Sequence, residues 1–170
     1  MRSISLMIMT LFTFSAYAIE LTNGWRFPTE KELAAQPMRS ESPSKNAVVE
    51  SDFNGDGKTD HAYLLKSTTF SGEGLLVKLS TPNGYTWKVL DKIDWGEKYP
   101  AVDLAMGIDL VTPGDYKTAC SKGYWECKEN EPETLMLKTP GILYFRFESA
   151  ASIYYWDKES MEFKQVWISD

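Results

Sequence analysis

Beyond its first eighteen residues, this sequence has no apolar run approaching the ~20 residues that span a bilayer. It has two cysteines, one histidine, and 18 basic against 24 acidic side chains, for a net charge of −6. Each shortage excludes something. Too few Lys and Arg argue against nucleic acid or an anionic membrane face as partner, because both reward clustered positive charge. A basic protein partner is favoured instead. One distant His61 and two Cys do not make a structural zinc set. No G-x-S-x-G or H-E-x-x-H motif is present, so His61, without a nucleophile motif to serve, reads as an ordinary half-exposed strand residue rather than a general base. The carboxylates show no distinctive pairing in sequence, although two that are distant in the chain can meet in a fold, as in two-carboxylate glycosidases.

What the chain does have begins at Met1. Arg2 is followed by an apolar run from Ile4 to Phe14 and by the small-x-small ending Ala16-Tyr17-Ala18. That is the pattern of a signal peptide over residues 1–18, cleaved after Ala18, and Ser5, Thr10, Thr13 and Ser15 interrupt the run too often for a membrane anchor. No cysteine stands at or just after the cleavage point, so no lipid attachment is expected. Residues 19–170 then form one domain, soluble in the periplasm or outside the cell, and large enough to bury a core of its own. Six Trp, nine Tyr and eight Phe across the chain supply bulky groups for one.

In this exported domain, Thr29 followed by Glu32 reads as the capping box of a short helix that Pro37 stops. The Ser- and Pro-rich stretch Arg39 to Asn46 reads as a surface linker. From Ala47 onward, short β-branched and aromatic runs alternate with turn residues. They predict strands near 47–51, 61–67, 74–80, 85–91, 105–111, 134–138, 141–148, 152–157 and 162–168. Thr81-Pro82-Asn83-Gly84 and Asp157-Lys158-Glu159-Ser160 supply hairpin turns. The expected fold is all-β or β-dominated, with a minor α contribution: an antiparallel sandwich or bent sheet with one short N-terminal helix.

The strongest chemical signal is Asp52-Phe53-Asn54-Gly55-Asp56-Gly57-Lys58-Thr59-Asp60. Asp52, Asn54 and Asp56 place side-chain oxygens at alternate positions. Gly57 permits a sharp turn, Lys58 offers a backbone carbonyl and Asp60 a further carboxylate. Hard oxygen donors converging from one tight loop are what calcium requires. The position that holds Glu in an EF-hand is Tyr63 here, and a strand follows, so the loop is not an EF-hand. It resembles the calcium loops of FG-GAP repeats, in which D-x-N-G-D-G-x-x-D precedes a strand such as His61-Ala62-Tyr63-Leu64-Leu65. The resemblance covers about twenty residues and one copy, so it implies the metal loop and not the propeller fold of that family. Without the EF-hand Glu, affinity should fall toward about 0.1 to 1 mM, which suffices outside the cytoplasm. The other reading is an Asp/Asn/Gly-rich hairpin turn without metal.

Pro113 to Glu133 is a long connection with little apolar periodicity, and it holds both cysteines. In an oxidising compartment Cys120 and Cys127 should pair. Tyr116, Tyr124 and Trp125 on this stapled stretch are residue types that anchor interfaces. They either face a partner or fold back to cap a sheet edge. These features predict a non-enzymatic, calcium-binding exported protein that acts by binding another protein, in the manner of an inhibitor or immunity protein. The alternatives are an envelope hydrolase with paired carboxylates and a carbohydrate-binding module.

Overall fold

The protein is described by a computed structural model that covers residues 21–39, 42, 45–96 and 103–170. Residues 1–18, expected from sequence to be a signal peptide, lie outside these residues. The protein is β-dominated, with half of the described residues in strands, one short α-helix and short 3-10 turns.

That helix, α1 (Glu30–Ala34), starts as the sequence predicts. Glu32 N–H donates to Thr29 Oγ1 at 3.3 Å, and Thr29 N–H donates to the Glu32 carboxylate at 2.7 Å. Arg26 forks onto both oxygens of Glu32 at 2.6 and 2.8 Å. That hydrogen-bonded cation is the main reason the Glu32 pKa falls to about 2.

Among the described residues, eleven strands build the body. The first sheet runs in the order β1 (Trp25–Arg26), β3 (Asp60–Ser67), β4 (Gly72–Thr81), β5 (Gly84–Asp94), and β2 (Val48–Ser51) also pairs with β3. The second runs β11 (Glu162–Ser169), β10 (Ala151–Asp157), β9 (Gly141–Arg146), β6 (Met106–Val111). A two-stranded ribbon joins β7 (Gly114–Lys117) to β8 (Thr134–Leu137). All pairings are antiparallel. Every strand expected from periodicity is present, and two short ones were not expected, β1 and β7.

Alternation along the strands decides which faces meet. Ala62, Leu64, Leu75, Val77 and Leu79 of the first sheet pack on Ile108, Ile142, Tyr144, Tyr154 and Trp156 of the second, forming the main core. On the far face of the second sheet, Val111, Ile153 and Val166 meet Leu135 and Leu137 of the ribbon. The result is a sandwich with the ribbon on one outer face.

Arg39 corrects the expectation of a surface linker, because it is fully buried. Its guanidinium donates to the carbonyls of Lys45, Asn46, Leu104 and Met106, and stands 4.9 Å from the centroid of Phe147. Beside it, buried Glu73 accepts from the N–H groups of Ala105 and Met106 at 3.0 and 2.8 Å. These polar groups are tolerated in the interior because backbone groups of residues 45–46 and 104–106 hydrogen-bond them, while burial raises the Glu73 pKa.

Candidate functional site

Ser51 pairs with Asp60, so β2 and β3 clamp both ends of the aspartate-rich loop. Phe53 points inward and is buried in the core, with its ring 6.5 Å from that of Phe163. Its neighbours on either side are therefore turned outward. Gly55 and Gly57 adopt φ of +75° and +82°, the left-handed region that Gly enters without a Cβ penalty.

The loop's oxygens are engaged with its own amides. Asp52 accepts from Gly55, Asp56 and Gly57 N–H at 2.7, 3.0 and 2.8 Å. Asn54 Oδ1 accepts from Asp56 N–H at 3.0 Å, Asp56 accepts from Lys58 N–H at 2.9 Å, and the Ser80 hydroxyl, whose one proton Asp56 shares with Asp60, lies 2.9 Å from Asp56. At Asp56 desolvation pushes the pKa upward, but these bonds and the Lys58 charge outweigh it and hold the carboxyl below its ordinary value. Asp60 is fully buried and accepts four bonds, from Phe53 N–H, Asn54 N–H, Ser80 N–H and the Ser80 hydroxyl. A carboxylate has about four lone-pair sites, so all of those on Asp60 are taken by protein donors. In this conformation Asp60 holds the loop in shape, and ligation by it would require one donor to be released.

The donor set is all oxygen, the chemistry of a calcium site. Asp52, Asn54 and Asp56, with the Lys58 carbonyl, are the groups on the solvent side that would hold the ion. Among the described residues, no three or more His, Cys, Asp or Glu side chains already converge on one point. Ligation would therefore draw these oxygens together from the positions described here.

The rim of this loop reaches the second sheet. A Cβ built on Gly55 would stand 2.9 Å from Lys158 Nζ and 3.1 Å from Thr139 Cγ2. Lys158 and Thr139 line a cavity of about 290 Å³ together with Met136 and Tyr155. Tyr155 also lines the adjoining groove of about 810 Å³, whose walls include Trp125, Glu131, Lys164, Gln165 and Trp167. The two hollows share Tyr155, and Gly55 of the aspartate loop approaches Lys158 and Thr139 of the smaller one.

Cys120 and Cys127 are bonded, with Cα atoms 4.9 Å apart. Of the three aromatics singled out in sequence, the structure separates one from the other two. Tyr116 is half-buried against the ribbon core and donates its hydroxyl to Thr112 O at 2.7 Å. Tyr124 is 51% exposed, and its ring lies 6.5 Å from that of Trp125. Trp125 is half-buried and donates Nε1 to the Glu131 carboxylate at 3.0 Å, which fixes the indole as a wall of the groove. Tyr155 and Trp167 were not singled out in sequence, because strand alternation does not reveal which outward aromatics share a concavity.

His61 is a half-buried residue of β3, as its sequence context suggested. Its ring stacks on Tyr63 at 6.0 Å, and Nδ1 lies 3.2 Å from Glu50 Oε1, ion-pair distance without hydrogen-bond geometry. Asp157 is held well below the usual carboxylate range, first by Lys164 and then by the Ser160 hydroxyl. Among the described residues no helix is long and apolar enough to cross a membrane. No protein-family model matches the chain, no curated protein matches it in sequence, and no solved structure matches it in fold.

Proposed function

We propose that this is an exported, non-catalytic binding protein of the periplasm or extracellular space, whose Asp52–Asp60 loop takes calcium and steadies the neighbouring binding face. The observation that carries the reading is the approach of Gly55, at the loop's tip, to Lys158 and Thr139, which line a hollow that shares Tyr155 with the groove walled by Trp125. Asp52, Asn54, Asp56 and the Lys58 carbonyl are the groups that would hold the ion. Calcium would supply charge neutralisation to an acidic loop and no reaction chemistry. The target on this reading is a protein, and a basic one, because the chain is acidic overall. Occluding such a protein would make this chain an inhibitor or immunity protein.

The test is a pull-down from envelope extract in calcium and in chelator, with Asp56→Ala alongside. One protein retained in calcium, and weakened both in chelator and with Asp56→Ala, supports the reading. No protein retained in either condition removes it. A second reading, a carbohydrate-binding module, is favoured by three aromatics, Trp125, Tyr155 and Trp167, lining one groove. Retention on immobilised polysaccharide, lost with Trp167→Ala, would select it.

A further inference from the structure

The larger groove lies along the edge of a sheet. β11 is the outermost strand of the second sheet, with β10 on one side. On its other side Ala119 N–H donates to Trp167 O at 2.8 Å, and Lys122 Nζ reaches Ile168 O at 2.6 Å. The disulfide loop therefore occupies the C-terminal part of this edge and stops there. Because the Trp167 carbonyl faces away from β10, alternation turns the N–H and C=O of Gln165 the same way, while those of Lys164 and Val166 face β10. Among the described residues no hydrogen bond uses the Gln165 backbone on that side.

Gln165 lines the groove. The opposite wall, which includes Glu131 and Pro132, contains no strand, so nothing in it completes the ladder. That wall is held by the disulfide and by the Trp125–Glu131 hydrogen bonds. Its charges are balanced: Lys128 and Lys164 oppose Glu129 and Glu131. Binding there draws on backbone hydrogen bonds and aromatic area rather than on net charge. The spare backbone pair at Gln165 calls for an extended chain, which a sugar does not offer, and Trp125, Tyr155 and Trp167 offer contacts for its side chains.

We propose that this groove binds an extended segment of a partner polypeptide, added as a further strand on β11 at Gln165. The proposal rests on the protein-binding reading above and names its mode.

The probe is a displayed library of short random peptides, panned on the wild-type protein in calcium. Recovered peptides are measured against Gln165→Ala, which keeps the backbone, and Gln165→Pro, which removes the outward N–H without touching the ladder to β10. The expected result is near-normal binding to Gln165→Ala and a loss of about tenfold or more with Gln165→Pro. In case Gln165→Pro misfolds, amide exchange on the wild type gives an independent readout, with the Gln165 N–H slowed by bound peptide. Equal binding by both variants together with an unprotected Gln165 amide overturns the proposal. So does an absence of peptide binders alongside binding of soluble chitin or cellulose oligosaccharides. A protein retained from envelope extract equally by Gln165→Pro would overturn this mode while leaving the binding-protein reading standing.

Discussion

Asp60 at the end of the metal-type loop and Ser80 near the end of β4 are joined twice, through the Ser80 N–H at 2.7 Å and its hydroxyl at 2.6 Å. The same hydroxyl lies 2.9 Å from Asp56. One serine thus ties the exposed and buried carboxylates of the loop together. Asp60→Ala leaves two buried N–H groups, those of Phe53 and Ser80, and the part-buried Asn54 N–H without an acceptor and should cost about 3 kcal/mol or more, whereas Ser80→Ala should cost about 1 to 2 kcal/mol. Urea unfolding of both variants tests this, and a larger loss for Ser80→Ala would contradict it.

Calcium should raise the melting temperature of the wild type in a concentration-dependent way, following mass action on the folded state. Asp56→Ala should remove that response while changing stability in chelator little, since Asp56 is exposed. A thermal shift that survives in the variant would remove Asp56 from the ligand set.

Gly55→Ala meets two obstacles, a φ of +75° and a methyl that would crowd Lys158 and Thr139. The expected loss is about 1 to 3 kcal/mol. Gly57 has similar φ but open space around it, so Gly57→Ala should be the milder change. Comparing the two by denaturant midpoint separates crowding from backbone strain.

Arg39→Met keeps volume but leaves four carbonyls without their donor and removes one of the two cations, Lys66 being the other, that act on Glu73. A loss of about 3 to 5 kcal/mol is expected. Near-wild-type stability on calorimetry would mean that the carbonyls find water instead.

The Arg26–Glu32 pair gives a pH dependence of defined sign. The folded pKa of Glu32 lies at about 2, below its ordinary 4.5. Its contribution is therefore complete above about pH 4.5 and is lost as the pH falls toward 2. Arg26 is 42% exposed, so water screens the pair and the effect should be held to about 1 kcal/mol. Glu32→Gln should flatten that part of the stability profile, measured by urea unfolding across acid pH.

The strands were legible because apolar and β-branched runs stand between turn residues. Gly72–Thr81, however, is buried on both faces, with Leu75, Val77 and Leu79 on the main core and Leu76 against Tyr63 and Leu65, so it has no wet face. The two missed strands are too short to show a period. Trp25–Arg26 is defined by its pairing with Lys66 and Ser67, and Gly114–Lys117 by the opposing Thr134–Leu137, relationships that exist only in three dimensions. Arg39 and Glu73 were missed for the opposite reason. Charge ordinarily marks a surface, and nothing local announces that distant carbonyls and amides will saturate it. The loop residues and the cysteine pair were legible as a set, but the two hollows beside them were not, because their walls come from four separate stretches of chain.

The approach of Gly55 to Lys158 joins a connection of the first sheet to a hairpin turn of the second. A contact between residues so far apart in sequence forms only after the two sheets have docked, and it carries a high loop-closure cost until then. Stabilising the aspartate loop should accordingly slow the opening of the finished protein more than it hastens its assembly. For an exported protein, as proposed above, which would meet proteases without ATP-driven refolding, lifetime in the folded state would matter more than speed of arrival. This clasp between the two layers acts on that lifetime.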